Sequence, residues 1–441
     1  MVAVAVVAAV AGAAGCGDDG AGDLDAATDG EVVADGGPDG AVSLRTTTRY
    51  PAGALHSPMT PGVVARLQAV LAGSTGRRDV FAKIGDSITV DPNFFQCFVR
   101  DADTDLGASA ALEPTRQYFK RTLADASKTS FDRASLAATV GWSAGSALAG
   151  SPNAIEQEVT AIQPAFAVVM FGTNETADTG VQPFEKNLGT VADTLLARGV
   201  IPILSSIPPR GDSTAADALV PEMNAVVRVV AETRQIPYVD LWQRLEGIAG
   251  RGLAGDGVHL NVFVSSGVKG CFLTPDGLMK GVNQRNDVTL AALDRVKRYV
   301  LDGAAPEPEP PGLRGAGTWN DPVVVDRVPF VDAWTTEGGE SRFARYACGT
   351  QDEGGPERVY HIHLGAPTVL RARVYVDTGV DVDLHWLDGP RADACTVRND
   401  RTLDISAGAG DHWLAVDSFV SGGVARAGAY RLTLVRLSGG I

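Results

Sequence analysis

The sequence predicts an α/β domain, a parallel sheet with helices on both faces, followed by a small all-β sandwich. Three observations predict it. Over 48–302, short apolar runs rich in Val and Ile alternate with amphipathic stretches; a Pro/Glu segment, GAAPEPEPPG, interrupts the chain at 303–312; and over 313–441 polar and apolar residues alternate with a period of two.

The runs VFAKI (80–84), FAVVMF (166–171), IPILSSI (201–207) and IPYVDL (236–241) are bounded by Gly or Pro and read as strands. Their near-continuous apolar character suits strands covered on both faces. Amphipathic stretches at 61–73, 183–198, 215–233 and 287–301 supply the helices. In such sheets ligand sites form just past the carboxyl ends of the strands. The segment at 303–312 reads as a stiff spacer. Beyond it, RVYHIHL, VLRARVYV, VDVDLHWL, HWLAVDSF and YRLTLVRL alternate between two faces and are separated by Gly, Pro and Asp turns. Asp377, Asp381 and Asp383 are expected on a solvent face rather than around calcium, and His361 and His363 form an exposed pair on one face.

The chain has 441 residues, 45% hydrophobic and 21% charged, enough to bury a core in more than one domain. A net charge of -15 argues against nucleic acid, whose phosphates need a basic surface. Residues 1–16 read as an export signal, because MVAVAVVAAVAGAAG is apolar, small and too short to span a membrane. Ala13-Ala14-Gly15-Cys16 resembles a bacterial lipobox, which makes Cys16 the lipidation candidate and predicts an envelope lipoprotein or an extracellular protein. Residues 17–47, rich in Gly, Ala and Asp, read as a solvated tether. Cys97 and Cys271 fall in the α/β segment, and Cys348 and Cys395 in the last third. Each pair is a disulfide candidate, with buried free thiols as the alternative. No C-x-x-C pair or His/Cys cluster with metal spacing is present, so neither metal nor cofactor is expected.

Ser87, in KIGDSIT directly after VFAKI, sits where a strand hands its last residues to the crevice; capping of the next helix is the structural alternative. A serine attacks only if an oriented base takes its proton. The α/β segment offers His56, in an irregular stretch between two prolines, and His259, three residues after Asp256. On a helical turn that spacing sets carboxylate and imidazole side by side. In MFGTNE, Gly172 allows close backbone approach and Asn174 can aim an N–H at a developing oxyanion. A rival nucleophile is Ser143, because Gly141-Trp142-Ser143-Ala144-Gly145 matches the G-x-S-x-G elbow. That elbow needs a long following helix, whereas SALAG stops at Pro152.

The order G-D-S-I, G-T-N-E and D-G-V-H resembles the SGNH, or GDSL, hydrolases, over about Val80 to Asp302. The resemblance implies a flavodoxin-like sheet and an ester hydrolase with no cofactor. It gives Ser87 as nucleophile, His259 as general base and Asp256 as its orienting acid. The oxyanion hole is then the Ser87 and Gly141 N–H groups with the Asn174 amide, Gly145 being the alternative donor and Ser143 a turn residue. Glu175 stands where the family usually has Asp. The implied substrate is a small-molecule, lipid or polysaccharide ester carrying an acyl or acetyl group. The competing expectations are a non-catalytic binding protein on the same fold and an enzyme using Ser143. The sandwich resembles the PPC-type domains appended to secreted bacterial peptidases, which leaves a glycan or surface partner as its expected role.

Overall fold

The computed structural model describes residues 48–176 and 180–437, so Cys16, the signal and the tether lie outside the described residues. The α/β part runs α1 (Pro61–Ala72), β1 (Arg77–Gly85), α2 (Ser87–Val90), α3 (Glu113–Lys120), α4 (Ala144–Ala147), α5 (Ala154–Ile162), β2 (Pro164–Met170), α6 (Val181–Ala197), β3 (Ile201–Ser205), α7 (Thr214–Arg234), β4 (Tyr238–Val239), α8 (Leu241–Glu246) and α9 (Gly281–Val296). The four predicted runs become β1 to β4, all parallel and hydrogen-bonded in chain order. On the outer side of β1 the chain pairs once more, in parallel, at Gly85 and Ala138. Counting that bridge as a vestigial second strand gives the order 2-1-3-4-5 of flavodoxin-like sheets.

β2 and β3 are buried throughout, as strands with helices on both sides must be. Helices α4 to α7 touch one another in one layer, and α1, α3, α8 and α9 in the other. Under β1, Phe81 meets Phe95, Phe119 and Phe131 edge-on at centroid distances of 5.6, 5.2 and 5.3 Å, an arrangement aromatic quadrupoles favour. Residues 303–312, expected to be a spacer, carry no helix or strand but are pinned to the α/β part. Glu307 bonds Arg295 twice at 2.7 Å, and Glu309 accepts from Thr48 at 2.8 Å.

The C-terminal part is two packed sheets. Its strands are β5 (Val323–Val325), β6 (Phe330–Thr335), β7 (Glu357–Leu364), β8 (Thr368–Val376), β9 (Val382–Leu387), β10 (Cys395–Asn399), β11 (Thr402–Ala407), β12 (Gly410–Ser418) and β13 (Ala429–Arg436). One sheet is ordered β11-β8-β13-β6 and the other β10-β9-β12-β7-β5, antiparallel except where β5 joins β7. Alternate residues such as Leu384, Trp386, Leu414 and Leu432 fill the core between them. The outer face of β6 and β13 packs on α7 through Val331, Ala333 and Val435 against Ala225 and Val229.

One expectation fails here. Asp383 is 3% exposed, not on a solvent face, because the segment before β7 folds over that side of the sheet. Trp319, Tyr346 and Phe343 form the cover, and Tyr346 donates to Asp417, the cross-strand neighbour of Asp383, at 2.7 Å. Asp377 is exposed as expected, while His361 and His363 share Asp411 Oδ1 at 3.0 and 2.8 Å. Cys97 is bonded to Cys271 and Cys348 to Cys395. His385 lies beside the second bridge, but sulfurs bonded to each other leave no thiolate for a metal.

Candidate active site

The register of β1 and β2 builds the site. Gly85 pairs with Met170, so the loops that follow, with Ser87 on one and Asn174 on the other, leave the sheet side by side. Ser87 opens α2, but Asp86 does the capping, accepting from Ile88 N–H at 3.0 Å. The serine side chain is therefore free of the structural job that sequence alone could assign to it.

Ser87 Oγ lies 2.9 Å from His259 Nε2, and Asp256 Oδ2 lies 2.7 Å from His259 Nδ1. The Asp-x-x-His spacing works through a turn, not through the helical turn expected from sequence. Asp256 Oδ1 accepts from the N–H groups of Val258 and His259, both at 3.0 Å, and this tight turn brings the residue-259 side chain back over its own carboxylate. Those N–H groups and the imidazole hold the Asp256 pKa down at about 2. Gly257 sits at φ +71°, and a Cβ there would come within 2.6 Å of Asp212 N, so the turn closes only with glycine. His56 is elsewhere: its Nε2 contacts Val288 O at 2.8 Å, and burial depresses its pKa to about 4.

Gly141 has φ +78° with open space around it, and Asn174 Nδ2 donates to Trp142 O at 2.8 Å, so these two residues face one loop. Ser143 caps α4: its Oγ accepts from Ser146 N–H at 3.1 Å and meets Ser146 Oγ at 3.0 Å. A Cβ on Gly145 would meet the end of the Asn187 side chain at 2.9 Å, so this glycine lets the loop sit close against α6.

Three further residues hold the site, and sequence reasoning gave them no such role. Glu175, 1% exposed, accepts from Ala144 N–H at 2.6 Å and so ties the asparagine turn to the Gly141 loop. Burial raises its pKa to about 7, so the charge expected there is largely neutralised by a proton below that pH. Arg210 donates to Thr173 O and Thr176 Oγ1, both at 2.6 Å, while Gly211 N–H donates to Gly257 O at 2.7 Å. One short segment therefore grips both the asparagine turn and the Asp256 turn. Arg285, buried in α9, donates to Ile88 O and Thr89 Oγ1 and lies 3.6 Å from the Phe94 ring centroid, clamping the start of α2. Beside it Asp86 is fully buried, and desolvation raises its pKa to about 6 against the pull of Arg285. No periodic or motif signal marks Arg210 or Arg285; only the fold brings them near.

Residues 84–263 match the family model described as GDSL-like Lipase/Acylhydrolase family. No curated protein matches the chain. Among solved structures, it is similar to a GDSL-like lipase from Bacteroides thetaiotaomicron, 17% identical, covering 53% of this chain and 98% of that one with a TM-score of 0.33. A putative acylhydrolase from Bacteroides fragilis is 18% identical, covering 53% and 94%, also at 0.33. An acetylxylan esterase from Geobacillus stearothermophilus is 16% identical, covering 50% and 95%, at 0.33. Residues 84–263 of this chain, which carry Ser87, Gly141, Asn174, Asp256 and His259, form a GDSL-like lipase/acylhydrolase domain.

Proposed function

We propose that the protein is a serine ester hydrolase that cleaves carboxylic esters through an acyl-enzyme on Ser87. The relay from Ser87 Oγ to His259 to Asp256, with links of 2.9 and 2.7 Å, is the observation that carries the reading. His259 Nε2 takes the hydroxyl proton as Oγ attacks the ester carbonyl, and Asp256 fixes the other nitrogen as the N–H donor and steadies the imidazolium. The N–H groups of Ser87 and Gly141 and the second N–H of Asn174 stabilise the oxyanion. His259 then returns its proton to the leaving alcohol, and a water activated by the same imidazole releases the acid.

The site is open. The side chains of His259 and Asp256 are 42% and 52% exposed, which suits an ester carried on a bulky scaffold, such as an acylated or acetylated polysaccharide, better than one that must be swallowed. The competing nucleophile is disfavoured because the Ser143 hydroxyl is committed to its capping box. Export to an oxidising compartment, with Cys16 lipidated, is part of the proposal; the two disulfides support the compartment.

A p-nitrophenyl acetate assay tests the reading. Ser87→Ala should abolish turnover, Ser143→Ala should leave it near wild type, and Asn174→Ala should lower kcat by about 10²- to 10³-fold while a remnant persists. Wild-type rates in Ser87→Ala, or no ester turnover by the intact protein, would overturn it. Hydrolysis rate against acyl chain length, with acetylated polysaccharide in parallel, identifies the substrate class.

A further inference from the structure

The seam between the α/β part and the sandwich runs along α7, and its charges are complemented at both ends. Glu222 meets Arg371 and Arg373 of β8. Glu232 meets Arg49 at 2.6 Å, and Arg49 also reaches Asp332 at 3.0 Å. Between them Ala225 and Val229 make the dry contact with β6 and β13.

Arg228 lies on this same stripe of the helix and is the exception. It is 5% exposed, yet among the described residues no carboxylate lies within 4.0 Å of it. Its Nη2 donates to Pro329 O at 2.8 Å and its Nε has no acceptor among the described residues. Burial lowers its pKa, with Glu232 and Asp240 acting only at longer range. A buried guanidinium without an ion partner is expensive, and its fork geometry is made for a two-oxygen anion.

Two cavities meet at Arg228 and Pro329. The larger, about 340 Å³, is also lined by Arg49, Arg314 and Arg327, with Asp326 as its one carboxylate. The other, about 250 Å³, adds Arg436 beside Tyr238, Trp242 and Asp240. Arginines thus converge on one seam of a chain whose net charge is -15. None of Ser87, Asp256 and His259 lines either cavity.

We propose that this cleft is an anion-binding site separate from the ester site. Arg228 is its deep donor, Arg314 and Arg327 stand at its mouth, and the ligand carries a compact oxyanion: inorganic phosphate, or a carboxylate of an acidic polysaccharide. The site recognises charge and fork geometry, so a neutral glycan is not a ligand.

Titration calorimetry on the full chain, with inorganic phosphate, polygalacturonate and neutral xylan as probes, tests this. Phosphate or polygalacturonate should bind, xylan should not, and affinity should fall with added salt. Arg228→Gln and the surface pair Arg314→Ala/Arg327→Ala should each weaken binding at least tenfold, with p-nitrophenyl acetate turnover unchanged. Phosphate binding alone assigns a free anion, and tighter binding of polygalacturonate assigns the polymer. Should Arg228→Gln fail to fold, the surface pair decides. Absence of binding by both anions, or affinity unaltered in the variants that fold, overturns the proposal.

Discussion

Replacing Glu175 with Gln isolates the energetic cost of the carboxyl beneath the Asn174 turn. The side chain is buried, its Oε1 accepts from Ala144 N–H, its Oε2 has no hydrogen-bond partner among the described residues, and desolvation holds its pKa at about 7 against an ordinary 4.5. As pH rises from 4.5 to about 7, the unfolded chain gives up this proton while the folded protein keeps it. The unfolded state then binds fewer protons, so stability falls with rising pH. A rise from 4.5 to about 7 corresponds to roughly 3 kcal/mol. Gln does not titrate, and its amide oxygen can keep the bond to Ala144; any misfit of its NH₂ is a constant offset. The wild-type minus variant difference in unfolding free energy should therefore drop by about 3 kcal/mol between pH 4.5 and 7, and level off above. Urea denaturation of both proteins across that range, at fixed ionic strength, measures it. A difference that stays constant with pH would mean Glu175 titrates like a solvated carboxylate and would refute the reasoning.

Other outcomes follow from the same contacts. Arg210→Ala removes the donors to Thr173 O and Thr176 Oγ1, and should lower kcat by about 10- to 100-fold with KM little changed, because it misplaces Asn174 and the Asp256 turn rather than the substrate. Steady-state kinetics check it, and a raised KM at constant kcat would count against the strut. Removing the Cys97–Cys271 bridge, which closes 174 residues, should cost about 5 kcal/mol by chain entropy, read as a lower urea midpoint in Cys97→Ser/Cys271→Ser. Because Asp256 stays ionised down to about pH 2, a Asp256→Asn variant should lose activity at every pH above that, rather than shifting the acid limb of the rate profile.

The sheet was legible in the sequence because the runs inside its strands are nearly continuously apolar, and the helices because α1 and α6 keep one apolar stripe each; α7 is instead buried all round over 222–232, where the sandwich covers the face turned from the sheet. The vestigial strand at Ala138 was not, since a single bridge leaves no pattern. Ser87, Asn174, Asp256 and His259 stand in short motifs that the sequence displays, yet the Asp-x-x-His spacing reads as a helical turn where the structure has a tight turn closed on Asp256. Their geometry depends on a tight turn with Gly257 pressed against Asp212, a contact across 45 positions that local spacing does not encode. Asp383 was misplaced for a related reason: strand alternation says which face a residue takes, not whether a later segment covers that face.

The positioning residues show how so open a site can still be held accurately. The proposed reaction draws on four chain segments, those of Ser87, Gly141, Asn174 and His259, and links outside the reacting atoms tie them to one another or to their surroundings. Glu175 ties the asparagine turn to the Gly141 loop, and Arg210 with Gly211 ties that turn to the Asp256 loop. The third link runs behind the nucleophile: Asn286 accepts from Phe95 N–H and donates to Gly270 O, beside the Cys97–Cys271 bridge. The first two links chain the Gly141, Asn174 and Asp256 segments together, so loosening either should disturb all three. Positioning of this kind comes from links behind the site, so it does not depend on the walls of the crevice. For the hydrolase proposed above, selectivity would rest less on the acyl tail than on the rest of a bulky substrate, because His259 and Asp256 stand open to solvent.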